Sequence, residues 1–296
     1  MRHILSVADL SRDELLRILD RAAEWKSGRA VSALSKAPLA VFLLERATFR
    51  TRLAYEAALM KLGGNLVTFE GQLEARESIE DVAHVVSEMA DVVLVRVGDH
   101  GKLEALADAA SVPIVNALTA REHPVEVLAD ALTIREAFDN LSGRRFAFIG
   151  DGGNVCQSLL LLAPKLGMDT VVATPDAYAP DAEILSLARK LAEAMNVSFD
   201  VARSADEAAD GASVIYTDAW PKIEDMESVF ELYRVDAELF AKSEPDAIFL
   251  HCLPAKRGQE VTADVIDGPQ SHAFRRLENL IHTSTALLEW LLEHVE

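Results

Sequence analysis

The chain has 296 residues, half of them hydrophobic, with 48 acidic against 29 basic side chains for a formal charge of −19. This length allows one large or two medium domains with real cores, and the acid excess argues against nucleic-acid binding and against adhesion to anionic membranes. The two cysteines, Cys156 and Cys252, stand far apart without CxxC or histidine-rich company, which supports neither a disulfide framework nor a metal site and fits a reducing compartment.

Near the start, Ser11-Arg12-Asp13-Glu14 reads as a helix capping box rather than an apolar signal stretch, and no run approaches the roughly 18 apolar residues of a membrane span. A soluble cytoplasmic protein is expected. Short apolar, β-branched runs then recur at 39–44, 65–69, 92–95, 113–116, 145–149, 170–174, 197–201, 214–217 and 247–250, with stretches of helical period between them. Such alternation predicts an α/β protein with parallel sheets and right-handed crossovers, and nine strands divide more comfortably into two sheets than one. The expected architecture is two doubly wound parallel-sheet domains. A long helical stretch, 124–138, starts with Pro124 at its first position and stops at Asp139-Asn140-Leu141-Ser142-Gly143. This puts the domains at 1–139 and 140–274, with C-terminal helices over 275–296 returning to pack on the first domain.

In open parallel sheets ligands gather beyond the carboxyl ends of the strands. After the first run comes Arg46-Ala47-Thr48-Phe49-Arg50-Thr51-Arg52, where three arginines and two threonines crowd a strand-to-helix turn. Guanidinium forks, hydroxyls and the N–H groups of a helix start make that turn an anion site. Arg96 closes the third run. His123 sits at the mouth of the Pro124 helix, where the helix dipole favours a neutral imidazole able to donate to a carbonyl. Gly150-Asp151-Gly152-Gly153-Asn154 resembles a dinucleotide loop, but Val155 stands where a third glycine belongs, which weakens a nucleotide reading. Asp218 follows the 214–217 run and Cys252 the 247–250 run, a carboxylate and a thiol fit to flank an amine.

Taken together, Thr48-Phe49-Arg50-Thr51-Arg52, Gln72 with Glu77-Ser78, Arg96, His123-Pro124, Gly150-Asp151-Gly152-x-Asn154, Thr217-Asp218-x-Trp220 and His251-Cys252-Leu253-Pro254-x-x-Arg257-Gly258 resemble, in order and spacing, the aspartate/ornithine carbamoyltransferases, most closely the ornithine branch. The resemblance implies a homotrimer, or a multiple of trimers, with sites at subunit boundaries. Its first domain would bind carbamoyl phosphate and its second an amine, with no cofactor and no metal. It further implies that Thr48, Phe49, Arg50, Thr51 and Arg52 surround the phosphate and that Gln72 reaches the phosphate of a neighbouring subunit. Arg96 and His123 would hydrogen-bond the carbamoyl carbonyl, and the Leu253 carbonyl would hold the carbamoyl nitrogen. Asn154 and Asp218 would bind the α-amino and carboxylate end of ornithine, with Cys252 beside the attacking amine. Carbamoyl transfer to ornithine, giving citrulline and phosphate in arginine biosynthesis, is the implied activity.

Four departures from that pattern bear on the acceptor. Thr48 replaces a serine and keeps the hydroxyl. Glu126 replaces a glutamine that accepts from the carbamoyl amino group, and brings negative charge near a dianion. Leu280 replaces an arginine that contacts the substrate carbonyl, a charge-assisted contact worth roughly 2 to 4 kcal/mol unless Arg275, Arg276 or Arg257 substitutes. Pro221-Lys222-Ile223-Glu224-Asp225 replaces the Ser-Met-Gly loop of ornithine enzymes. Two other readings therefore stand beside ornithine: a carbamoyltransferase for another amine, such as a diamine or modified amino acid, and a non-catalytic anion-binding paralogue.

Overall fold

The computed structural model describes residues 1–294 and contains nine strands, β1 (Leu39–Leu44), β2 (Asn65–Glu70), β3 (Val92–Arg96), β4 (Ile114–Leu118), β5 (Arg145–Ile149), β6 (Asp169–Ala173), β7 (Phe199–Val201), β8 (Val214–Thr217) and β9 (Ile248–His251). They form two sheets, ordered β2-β1-β3-β4 and β7-β6-β5-β8-β9, and every pairing is parallel. The α/β expectation with two doubly wound parallel sheets is met. Most strands are apolar throughout because helices cover both faces of a parallel sheet.

The chain divides into two compact units, Met1–Leu132 with the stretch from Glu278, and Thr133–Leu277. The first unit holds α1 (Arg12–Lys26), α2 (Arg50–Lys61), α3 (Ile79–Met89), α4 (His100–Ala109) and most of α5 (Pro124–Ala137). The Ser11 capping box is present as read: the Ser11 hydroxyl accepts the Glu14 N–H and the Glu14 carboxylate accepts the Ser11 N–H. Leu43, Val93 and Val95 pack with Ile79, Ala83 and Leu103 in this unit's core. Strand β2 is the exception to the apolar rule. It lies at the sheet edge, and Val67 and Phe69 are about half exposed.

The second unit holds α6 (Asn154–Lys165), α7 (Ala182–Met195) and the short helices α8 (Ala205–Ala209), α9 (Met226–Phe230), α10 (Ala237–Phe240) and α11 (Ala263–Ile266). Ala147, Ile149, Ile215 and Phe249 form its core with Val265 and Ile266. The last helix, α12 (Arg276–Glu293), is one continuous helix, and its length from Glu278 belongs to the first unit. No helix among the described residues is long and apolar enough to cross a membrane.

Strand order reverses between β1 and β3 in one sheet and between β5 and β8 in the other. Reversal leaves the loops after those strands diverging to opposite faces, so a crevice opens at their carboxyl ends.

Candidate active site

At the first crevice, α2 starts without a side-chain cap at Phe49 and without an acidic residue in its first turn. Its leading N–H groups and the positive end of its dipole therefore face outward in cationic company. Thr48 Oγ1 lies 3.2 Å from Thr51 Oγ1; Thr51 is buried, Arg50 partly so, and Phe49 is 77% exposed. Arg52 points elsewhere, its Nε donating to Glu56 Oε1 at 2.8 Å on the exposed helix flank.

Arg96 ends β3 in register with Leu44, and its carbonyl accepts the Glu45 N–H at 3.0 Å. Burial lowers its guanidinium pKa below the usual arginine range; Glu126 opposes this, and Arg50 and Arg46 add to it. Three guanidinium groups, those of Arg46, Arg50 and Arg96, thus share one electrostatic patch. Beside it, His123 Nε2 lies 3.4 Å from Glu126 Oε2, with each side chain only 6% exposed. Among the described residues the buried Tyr55 hydroxyl has no hydrogen-bond partner; burial first and the Glu126 charge second push its pKa up, against Arg96. Gln72 is exposed in the loop after β2, lining an apolar groove of about 610 Å³ with Val67, Phe69, Val85 and Met89. Leu280 is buried on α12 and offers no charge.

At the second crevice, the chain leaves β5 through Gly150, whose φ of +133° and closeness to Thr217 Oγ1 (2.9 Å from an added Cβ) leave no room for a side chain. Asp151 follows, and Asn154 opens α6. Asp218, just past β8, accepts the Ala219 N–H at 2.6 Å and the Cys252 thiol at 2.7 Å. Burial, then the Asp218 charge, raise the Asp151 pKa to about 6 despite the Gly153 N–H bond to it. The Cys156 thiol behind them is raised well above its usual range by burial, Asp151 and Asp218.

Leu253 adopts φ +61° before a cis peptide to Pro254. Its N–H donates to His251 Nδ1 at 2.8 Å, so that nitrogen is unprotonated and Nε2 carries the hydrogen facing Glu260 Oε1 at 3.3 Å. The fully buried Arg276 donates to the Cys252 carbonyl at 3.4 Å. Donor atoms of Asp218, His251 and Cys252 lie within 4.8 Å of one another. Their hydrogen bonds already commit both imidazole nitrogens and the thiol, so these residues read as a bonded set holding the Cys252–Leu253 turn. Lys222 and Glu224 are exposed.

The first unit thus gathers Thr48, Arg50, Thr51, Arg96, His123 and Glu126, and the second gathers Asn154, Asp218, Cys252 and Leu253. Arg46 and Asp151 stand among them; the sequence places Arg46 in the anion turn and Asp151 in the glycine loop but assigns neither a substrate contact. The signal for Arg46 is its place in the arginine-rich turn; that for Asp151 is its place just beyond a strand end.

Residues 2–136 match the carbamoyl-P binding domain, and residues 142–291 the Asp/Orn binding domain, of the aspartate/ornithine carbamoyltransferase family. The ornithine carbamoyltransferase of Methanothermobacter thermautotrophicus is 40% identical, with 99% of this chain and 99% of that protein covered. The structure is similar to that of ornithine carbamoyltransferase from Pyrococcus furiosus, with a TM-score of 0.96, 34% identity, and coverage of 100% of this chain and 98% of that one. For the Gloeobacter violaceus ornithine carbamoyltransferase the TM-score is 0.92 at 36% identity, over 99% of both chains. With its two halves matched by the two domains of one family and its whole length shared with these relatives, this chain belongs to the aspartate/ornithine carbamoyltransferases.

Proposed function

We propose that the chain transfers the carbamoyl group of carbamoyl phosphate to the side-chain amine of ornithine, giving citrulline and phosphate. The observation that carries this reading is a pair of half-sites of opposite charge: the Arg46, Arg50 and Arg96 patch at the uncapped start of α2, and the Asp151, Asp218 and Cys252 group beyond β5, β8 and β9. Such a pair suits an anionic donor and a cationic acceptor, and disfavours a dicarboxylic acceptor such as aspartate.

In the reaction, Arg50, Arg46, Thr48, Thr51 and the α2 N–H groups hold the phosphate. Arg96 and His123 donate to the carbamoyl oxygen, on which negative charge grows as the neutral amine attacks the carbon. Asp218 and Asn154 take the amino-acid end, with Cys252 beside the attacking amine. The Leu253 carbonyl, pinned by its N–H bond to His251, accepts from the carbamoyl nitrogen. The tetrahedral intermediate then expels phosphate, which leaves with the amine's proton. A colorimetric assay for ureido product with carbamoyl phosphate and ornithine, putrescine, N-acetylornithine or aspartate tests the reading; turnover confined to ornithine is expected.

A second reading, transfer to another amine, is favoured by the exposed Lys222 and Glu224 in the 221–225 loop. If Lys222 grips the ornithine carboxylate, Lys222→Ala raises the KM for ornithine and leaves that for putrescine unchanged. Faster turnover of putrescine by the wild type would promote the second reading, and no ureido product from any amine would favour a non-catalytic paralogue. We further propose a cytoplasmic homotrimer, or a multiple of trimers, working in arginine biosynthesis. The half-exposed apolar edge at β2, with Gln72 on its groove, is the surface that a second copy would cover. Light scattering that gives a monomer mass would overturn the trimer.

A further inference from the structure

Asp151 and Asp218 follow β5 and β8, the neighbouring strands between which the second sheet reverses its order. Among the described residues neither carboxylate forms an ion pair with a lysine, arginine or histidine. Asp218 takes the Ala219 N–H and the Cys252 thiol, and Asp151 takes the Gly153 N–H. Neutral donors alone leave two half-buried carboxylates repelling each other, and a proton on Asp151 relieves that repulsion. Gly153 makes room for the Asp151 carboxylate: a Cβ there would come within 2.9 Å of Asp151 Oδ2. The other titratable groups facing this pair are the thiols of Cys156 from α6 and Cys252 after β9, and the His251 imidazole at the end of β9, whose Nδ1 accepts the Leu253 N–H so that the ring is in its neutral form; none of the three supplies positive charge.

We propose that Asp151 is the proton-holding carboxylate of the acceptor half-site, in mildly acid solution a neutral acid while the site is empty that gives its proton to solvent when the acceptor's ammonium binds beside it and Asp218. The inference rests on the acceptor being a cationic amine, as in the function proposed above. The exchange balances: one R–NH3+ enters, one O–H bond of Asp151 breaks, its electron pair stays on the carboxylate and one proton leaves. Acceptor and proton therefore compete for one place. Because burial and Asp218 hold Asp151 at about 6, acceptor affinity falls as pH drops through that value, by roughly tenfold per unit.

Ornithine titrated calorimetrically near pH 6, with inorganic phosphate in place of carbamoyl phosphate, in two buffers of different ionisation heat, counts the protons released. The expected result is a release of about one proton per site at the acid side of this range in the wild type and none in Asp151→Asn, whose ornithine affinity is also less dependent on pH. Ornithine binding without proton release in the wild type would overturn the proposal even if the variant misfolds, as would equal release in the variant. Should the wild type not bind ornithine, the acceptor reading fails, yet infrared spectra of the empty protein still decide about Asp151. A protonated-carboxyl band present at acid pH and missing in Asp151→Asn supports the proposal, and identical spectra overturn it.

Discussion

At Glu126 Oε2, 3.4 Å from His123 Nε2 and in the field of Arg96, a buried carboxylate meets partners of its own before any substrate arrives. A bare carboxylate about 8 Å from a dianion would weaken its binding by about 4 kcal/mol at an effective dielectric near 20. Its contact with His123 and the field of Arg96 reduce that repulsion, and the contact gives the carboxylate a second task, fixing the imidazole. Glu126→Gln should therefore shift carbamoyl phosphate affinity by less than about 1 kcal/mol while lowering kcat roughly tenfold, through looser placement of His123. Calorimetry with steady-state kinetics checks this; a large gain in affinity with kcat intact would mean that Glu126 acts on the phosphate alone. Arg50→Ala should cost carbamoyl phosphate about a hundredfold in affinity, since charge-assisted hydrogen bonds contribute about 1.5 to 3 kcal/mol each, and should leave the melting temperature nearly unchanged because Arg50 is partly exposed. Binding as tight as wild type would move the donor site elsewhere. The arginine-rich turn was legible in the sequence because its members are neighbours along the chain. The Asp151–Asp218 pair was not, since it exists only once β8 is laid beside β5.

Elements follow the same division. All nine apolar runs became strands because a parallel strand covered on both faces must be apolar along its length; β7 is shorter than its run, starting at Phe199. Strand order was hidden, because it is decided by which crossovers pack and not by any one segment. Helix α12 shows a further gap between pattern and structure. Its Glu289 carboxylate, 2% exposed, accepts from Arg21 Nε at 2.7 Å, Trp25 Nε1 at 2.9 Å and the Ala33 N–H at 2.8 Å, fastening α1 and the following segment. Burial alone would raise this carboxyl, but those bonds outweigh it and hold its pKa below the usual range. A depressed folded-state value means the stabilisation is present above the unfolded pKa and is lost as pH falls through the folded one. Glu289→Ala should destabilise the protein by about 2 to 4 kcal/mol at neutral pH by stranding three donors, with the gap to wild type closing in acid. Thermal melts at several pH values test this; a constant gap down to the acid limit would show that packing, and not the carboxylate's charge, is what the substitution removes.

On the scale of the whole molecule, the chain keeps a small cationic patch within a formal charge of −19. An incoming carbamoyl phosphate meets these two fields at different distances. At about 10 mM salt the Debye length is about 30 Å, so the dianion is repelled by the entire acidic molecule well before it senses Arg46, Arg50 and Arg96. At about 0.15 M the length shrinks to about 8 Å, the distant carboxylates fall silent, and the guanidinium groups act on an anion that has already arrived. The rate of donor capture should then climb with ionic strength between those limits, opposite to the usual loss of electrostatic steering. A kcat/KM for carbamoyl phosphate that instead falls steadily over that range would show that the patch projects its field beyond the acidic surface. If it climbs, dilute buffer understates the enzyme, and its acidity makes it a catalyst suited to a salty medium.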